Sequence, residues 1–113
     1  MVGPRVTQMP RRIHLIERNR AFKKLEGNIH ESWCWKMTPQ VAESLVGGDI
    51  YFHKRQKEPS YFGGKILAYR VHDSDEGEFP NCRGRVIFTF EFSREHRGVS
   101  AGEGGWAFMQ KIV

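Results

Sequence analysis

A chain of 113 residues with a formal net charge of +5 can build one hydrophobic core and is too short for two. No stretch approaches the ~20 apolar residues of a membrane-spanning helix, and the opening MVGPRVTQMPRR lacks the apolar run of a secretory signal. The expectation is one monomeric cytoplasmic domain with no membrane partner.

The charge is unevenly spread. Residues 1–37 carry eight Lys/Arg against three acids, residues 51–70 five against one, and residues 71–82 four acids and no cation. A basic surface with one acidic loop suits a polyanion approached from one side, although a mild positive charge alone is common among soluble domains.

In chain order, residues 1–11, with Pro4 and Pro10, read as a disordered lead to a domain over 12–113. Residues 12–16 (RIHLI) form a plausible first strand. Residues 17–32 are polar, and Ala21, Phe22 and Leu25 suggest a helical turn that Gly27-Asn28 breaks. Trp33, Trp35 and Met37 alternate with Cys34 and Lys36, a strand period that puts both tryptophans on one face. Thr38 can cap a helix that Pro39 starts, with Val41, Ala42, Leu45 and Val46 on its apolar face. Gly47-Gly48 supplies its left-handed stop.

Ile50 and Phe52 then alternate with Tyr51 and His53. A basic loop, KRQKEPSYFGG, leads to a strand over 66–71, and DSDEGEFPN makes a long turn. In residues 85–92, Val86, Phe88, Phe90 and Phe92 face the core and Arg85, Thr89 and Glu91 face away. A last strand over 106–113 follows the Gly-rich SAGEGG. One helix cannot cover an open sheet of five or six strands. The fold class is therefore α+β, mostly β: a curled sheet or small pseudobarrel of five to six strands with one or two short helices.

Most chemistry-bearing residues lie in WCWKMTPQVAESLVGGDIYFHKRQKEPSYFGGKILAY, residues 33–69. Trp33 and Trp35 either stack on a base or fill the core. Trp106, after Gly104-Gly105, either meets a ligand or completes a turn. Tyr61 can wall a pocket, and Arg18, Lys54 and Arg55 can meet phosphates at its rim. His53 can donate to a base or phosphate.

The five histidines show no metal-ligand spacing, so neither metal nor cofactor is implied. No serine has a nucleophile elbow, and SAGEGG lacks the Lys-Ser/Thr of a phosphate-cradling loop. Cys34 and Cys82 are expected as buried free thiols, with a disulfide possible but not favoured without a signal peptide.

A strand with paired aromatics, a short helix ending in Gly, then GGDIYFH and GGKILAY, resembles the PUA-like superfamily of PUA, ASCH, EVE and YTH domains. The matching motif is 45–52 plus 63–68, within a likeness spanning 12–113. The resemblance implies a pseudobarrel with a cleft near the first helix, RNA binding as in PUA and YTH members, and an aromatic base pocket as in YTH and EVE members. Trp33 and Trp35 match by position the strand that opens EVE domains. ASCH members with amidohydrolase activity carry a GxKxxTxR signature, whose Gly and Thr are missing from Arg18-Asn19-Arg20-Ala21-Phe22-Lys23-Lys24.

The function expected is thus a non-catalytic nucleic-acid-binding module for RNA or a modified base. Its site would be Trp33, Trp35, Arg18, His53, Lys54, Arg55, Tyr61 and Trp106. The alternatives are a small ASCH-type hydrolase of a modified nucleoside using Lys23 or Lys24, or a protein-interaction or regulatory module.

Overall fold

The computed structural model describes residues 11–77 and 79–113, so the expected disordered lead lies, apart from Arg11, outside the described residues. Its elements are β1 (Arg12–Ile16), β2 (Lys23–Glu26), β3 (Ile29–Trp35), α1 (Pro39–Leu45), β4 (Asp49–His53), β5 (Phe62–Val71), β6 (Val86–Phe92), one 3-10 turn (Arg94–His96) and β7 (Gln110–Ile112). They form a seven-stranded mixed sheet in the order β2-β3-β6-β5-β4-β1-β7. β1 and β4 run parallel, and the other pairs are antiparallel. The architecture is mostly β, as expected, but with seven strands rather than five or six. No ladder among the described residues joins β2 to β7.

The added strand is β2, where a helical turn was expected. All four of its residues are exposed, so no buried period marks it. Gly27, at φ 54°, makes the tight turn into β3, and pairing with β3 makes KKLE a strand. Helix α1 forms as its caps predict: Thr38 Oγ1 accepts from the Val41 N–H at 3.2 Å, and Pro39 opens the first turn. Ala42 and Leu45 are buried, while Val46 lies outside the core face, 38% exposed. Gly47, at φ 87°, ends the helix.

The main core contains Ile13 and Leu15 of β1, Trp35 of β3, Ala42 and Leu45 of α1, Ile50 and Phe52 of β4, Ile66 of β5, and Val86, Phe88 and Phe90 of β6. Three strands separate β1 from β3 in the sheet, yet both feed one cluster, so the sheet curls around it. β1 and β4 are buried on both faces over most of their length, as a parallel pair should be.

β3 is bulged between Glu31 and Cys34. Ser32 Oγ fills the gap in the ladder by accepting from the Phe88 N–H at 3.0 Å. The bulge breaks strict alternation. Trp35 enters the main core, while Trp33 packs on a second cluster of Cys34, Phe79, Cys82 and Ile87.

Cys34 and Cys82 form a disulfide, which corrects the expectation of free thiols. Phe79 and Cys82 pack with Cys34 and Ile87, the Phe79 ring 5.4 Å from that of Trp33, and this brings Cys82 onto Cys34. A cysteine count cannot register that approach across 48 residues of chain.

Candidate functional site

The curl sets the end of β1 opposite the end of β3, and the segment 107–110 closes the gap between them. The result is a hollow of about 770 Å³ lined by Ile16–Asn19, Trp33–Lys36, Arg85 and Ala107–Gln110. Its walls are held by hydrogen bonds from the Ile16 N–H to the Met109 carbonyl (3.0 Å), the Glu17 N–H to the His53 carbonyl (2.8 Å) and Gln110 Nε2 to the Lys36 carbonyl (3.0 Å).

Both tryptophans border this hollow. Trp33 is half-buried, whereas Trp35 is buried to 8% exposure, with no acceptor for its Nε1–H among the described residues. Arg18, Lys36 and Arg85 are exposed cations at the rim. Arg18 is steadied by donation from its Nε to the Lys54 carbonyl at 3.2 Å. Glu17 is the acid of the lining. Burial pushes its carboxyl up from the usual range, and the backbone N–H groups of Asn19 and Ala21 partly offset this.

A second hollow, of about 700 Å³, adjoins the first. Ile16, Arg18, Phe108 and Met109 line both, and Arg55, Gln56, Lys57 and Glu58 complete the second. Arg55 pairs with Glu58 at 3.4 Å, both side chains being largely exposed.

The other expected residues fall behind or away from these hollows. Lys54 lends its backbone to Arg18, and its Nζ stands 5.8 Å over the Tyr61 ring, with the Arg20 guanidinium at 4.8 Å. The Tyr61 hydroxyl donates to the Glu17 carbonyl. Burial, then the Glu17 charge, pushes its pKa up, so it braces the wall rather than facing a ligand.

His53 is fully buried on the opposite face of β4. Its Nδ1 donates to the Glu58 carbonyl at 2.8 Å, which leaves Nε2 to accept from His14 Nδ1, also at 2.8 Å. Trp106 covers this pair, its ring 5.8 Å from His53 and 6.4 Å from His14. Tyr51 stacks between His14 and His96, and His96 Nε2 meets Asp49 Oδ1 at 2.9 Å. Trp106 lines a third hollow, of about 550 Å³, with Gln56, Lys57 and the Gly-rich loop.

The fold therefore unites Trp33, Trp35 and Arg18, sets Arg55 beside them, and puts His53 and Trp106 in a separate cluster. It adds Lys36, Arg85 and Phe108, which sequence reasoning had not assigned to the site. Lys23 and Lys24 lie exposed on β2. Among the described residues, no group of three His, Cys, Asp or Glu is arranged to hold a metal ion, and no helix is long and apolar enough to cross a membrane.

No family model, no curated protein and no solved structure matches the chain.

Proposed function

We propose that the protein is a non-catalytic nucleic-acid-binding module that takes an unpaired base, plain or modified, against Trp33 and the edge of Trp35. Arg18, Lys36 and Arg85 meet the flanking phosphates. The supporting observation is the convergence of two tryptophans and three cations on one hollow of about 770 Å³, within the size range of small-ligand pockets. Indole faces attract any base, and exposed cations supply affinity that does not depend on sequence.

The PUA-like assignment belongs to the same reading. The order β3, capped α1, β4 entered through Gly47-Gly48, and β5 carrying Gly63-Gly64 supports it, as does a sheet curled around its main core.

Fluorescence anisotropy with labelled single-stranded oligonucleotides at low salt tests the proposal. Trp33→Ala should weaken binding by about tenfold, within the worth of one base-on-aromatic stack. Absence of binding to every RNA and DNA strand, plain or base-modified, would end this reading.

A further inference from the structure

The two adjoining hollows share Ile16, Arg18, Phe108 and Met109, and Phe108 is the aromatic residue among the four. Ala107 and Gln110 exchange both backbone hydrogen bonds, at 2.7 and 3.1 Å, so Phe108 and Met109 are the two residues of a tight turn. Phe108 holds the first of these positions at φ 58°. A hairpin that needs a positive φ there favours glycine or asparagine, and a bulky residue is strained. Phe108 is also 87% exposed, the most exposed large apolar side chain described. The chain thus bears backbone strain and exposed apolar surface at one position, with no gain to the core.

The turn is nevertheless held firmly. Gln56 Nε2 donates to the Phe108 carbonyl at 3.1 Å, and the Ile16 N–H donates to the Met109 carbonyl at 3.0 Å. A rigid aromatic tip between two basic hollows, retained against its local cost, marks a contact with something outside the fold. The cations continue on both sides: Lys36 and Arg85 in the first hollow, Arg55 and Lys57 in the second, and Arg18 in both.

Resting on the base-binding reading above, we infer that the site takes an extended single strand of nucleic acid across both hollows. Phe108 stands between two successive bases and stacks on them. A free nucleoside or mononucleotide fills one hollow and leaves Phe108 without a second partner. An acidic peptide would supply repeated anions to the cations on either side of Phe108 but not the succession of planar bases for it to stack on.

The test compares octauridylate with uridine monophosphate by anisotropy and competition, for the wild type and for Phe108→Gly, Phe108→Leu and Phe108→Trp. Octauridylate should bind at least tenfold tighter than the mononucleotide. Phe108→Gly and Phe108→Leu should each lose about tenfold or more of octamer affinity, while Phe108→Trp keeps it, and mononucleotide binding, which uses at most one face of Phe108, should fall by clearly less than octamer binding. Phe108→Gly should melt no lower than the wild type, because glycine suits the turn, so its loss cannot be ascribed to misfolding. Equal affinity for monomer and octamer, or full octamer affinity in Phe108→Gly, overturns the inference and leaves the base-binding hollow standing. Failure of both probes, and of every other strand, to bind wild type refutes the hollow itself.

Discussion

Protonation of the buried histidine pair should destabilise the fold in mild acid. His53 donates from Nδ1 to the Glu58 carbonyl and accepts from His14, so the 2.8 Å contact between the rings holds one proton and has no room for a second. Burial, then the neighbouring His53, Lys111 and Arg12, pushes His14 down to about 4, and burial also lowers His53. In the unfolded chain His14 returns to 6.5, so between these values the unfolded state binds the extra proton. Stability from this group is complete above pH 6.5 and is lost as the pH falls towards 4. A pKa gap from 6.5 to about 4 corresponds to about 3 kcal/mol, of which about 2 kcal/mol is lost between pH 7 and pH 4.5. Urea unfolding at the two pH values should show the midpoint falling by about 1 M, for a slope of roughly 2 kcal/mol per molar. His14→Asn keeps a donor for His53 Nε2 and removes the titrating ring, so its midpoint should fall much less. Equal acid sensitivity in the variant and the wild type would refute the assignment.

Three further outcomes follow from the same structure. Reducing the Cys34–Cys82 bond, which closes 48 residues of chain, should remove about 4 kcal/mol on the chain-entropy account and lower the melting temperature; an unchanged melt with and without reductant would contradict this. Arg85→Ala should weaken single-strand binding evenly across base sequences and reduce the slope of log affinity against log salt by about 0.7; an unaltered slope would exclude Arg85 from phosphate contact. Ser32→Ala deprives the buried Phe88 N–H of its acceptor and should cost about 1–3 kcal/mol in urea unfolding, whereas a neutral result would mean that the bulge repairs its own ladder.

Features signalled within a few residues were legible in the sequence. Thr38-Pro39 and Gly47 bounded the helix, and the Val86–Phe92 alternation marked β6, because caps and strand period are local. β2 was not legible, since a wholly exposed KKLE carries no burial pattern and becomes a strand only by pairing with β3. The disulfide and the strand count likewise depend on long-range approach. Trp33, Trp35 and Arg18 were recognisable as aromatic and cationic groups, but nothing local shows that the curl brings the β1 and β3 ends together. That convergence also recruits Lys36 and Arg85. Phe108 was hidden because residues 106–113 read as one strand, whereas 107–110 turn tightly. A bulky residue shortly after Gly104-Gly105 was the available signal. His53 alternates to the face of β4 opposite the core, which placed it under Trp106 rather than at the rim.

The hollow's parts differ in rigidity, and the difference bears on what each contributes to binding. Its walls are fixed by hydrogen bonds to three separate segments, from the Ile16 N–H to the Met109 carbonyl, from the Glu17 N–H to the His53 carbonyl, and from Gln56 Nε2 to the Phe108 carbonyl. Arg18 is tethered to the Lys54 carbonyl, so its guanidinium is oriented before any ligand arrives. Walls and a rim guanidinium ordered in advance would lose little conformational entropy in the proposed complex, so their contacts would appear almost fully as affinity. Lys36 and Arg85 are exposed rim cations, and ordering them costs rotamer freedom at the moment of binding. In the proposed complex their contribution would come chiefly through counterion release and would be weakened by salt. Stacking on the walls should therefore dominate at high ionic strength and the rim at low. In the proposed complex a strand through both hollows would multiply both terms, whereas a lone nucleotide offers one base and one phosphate group.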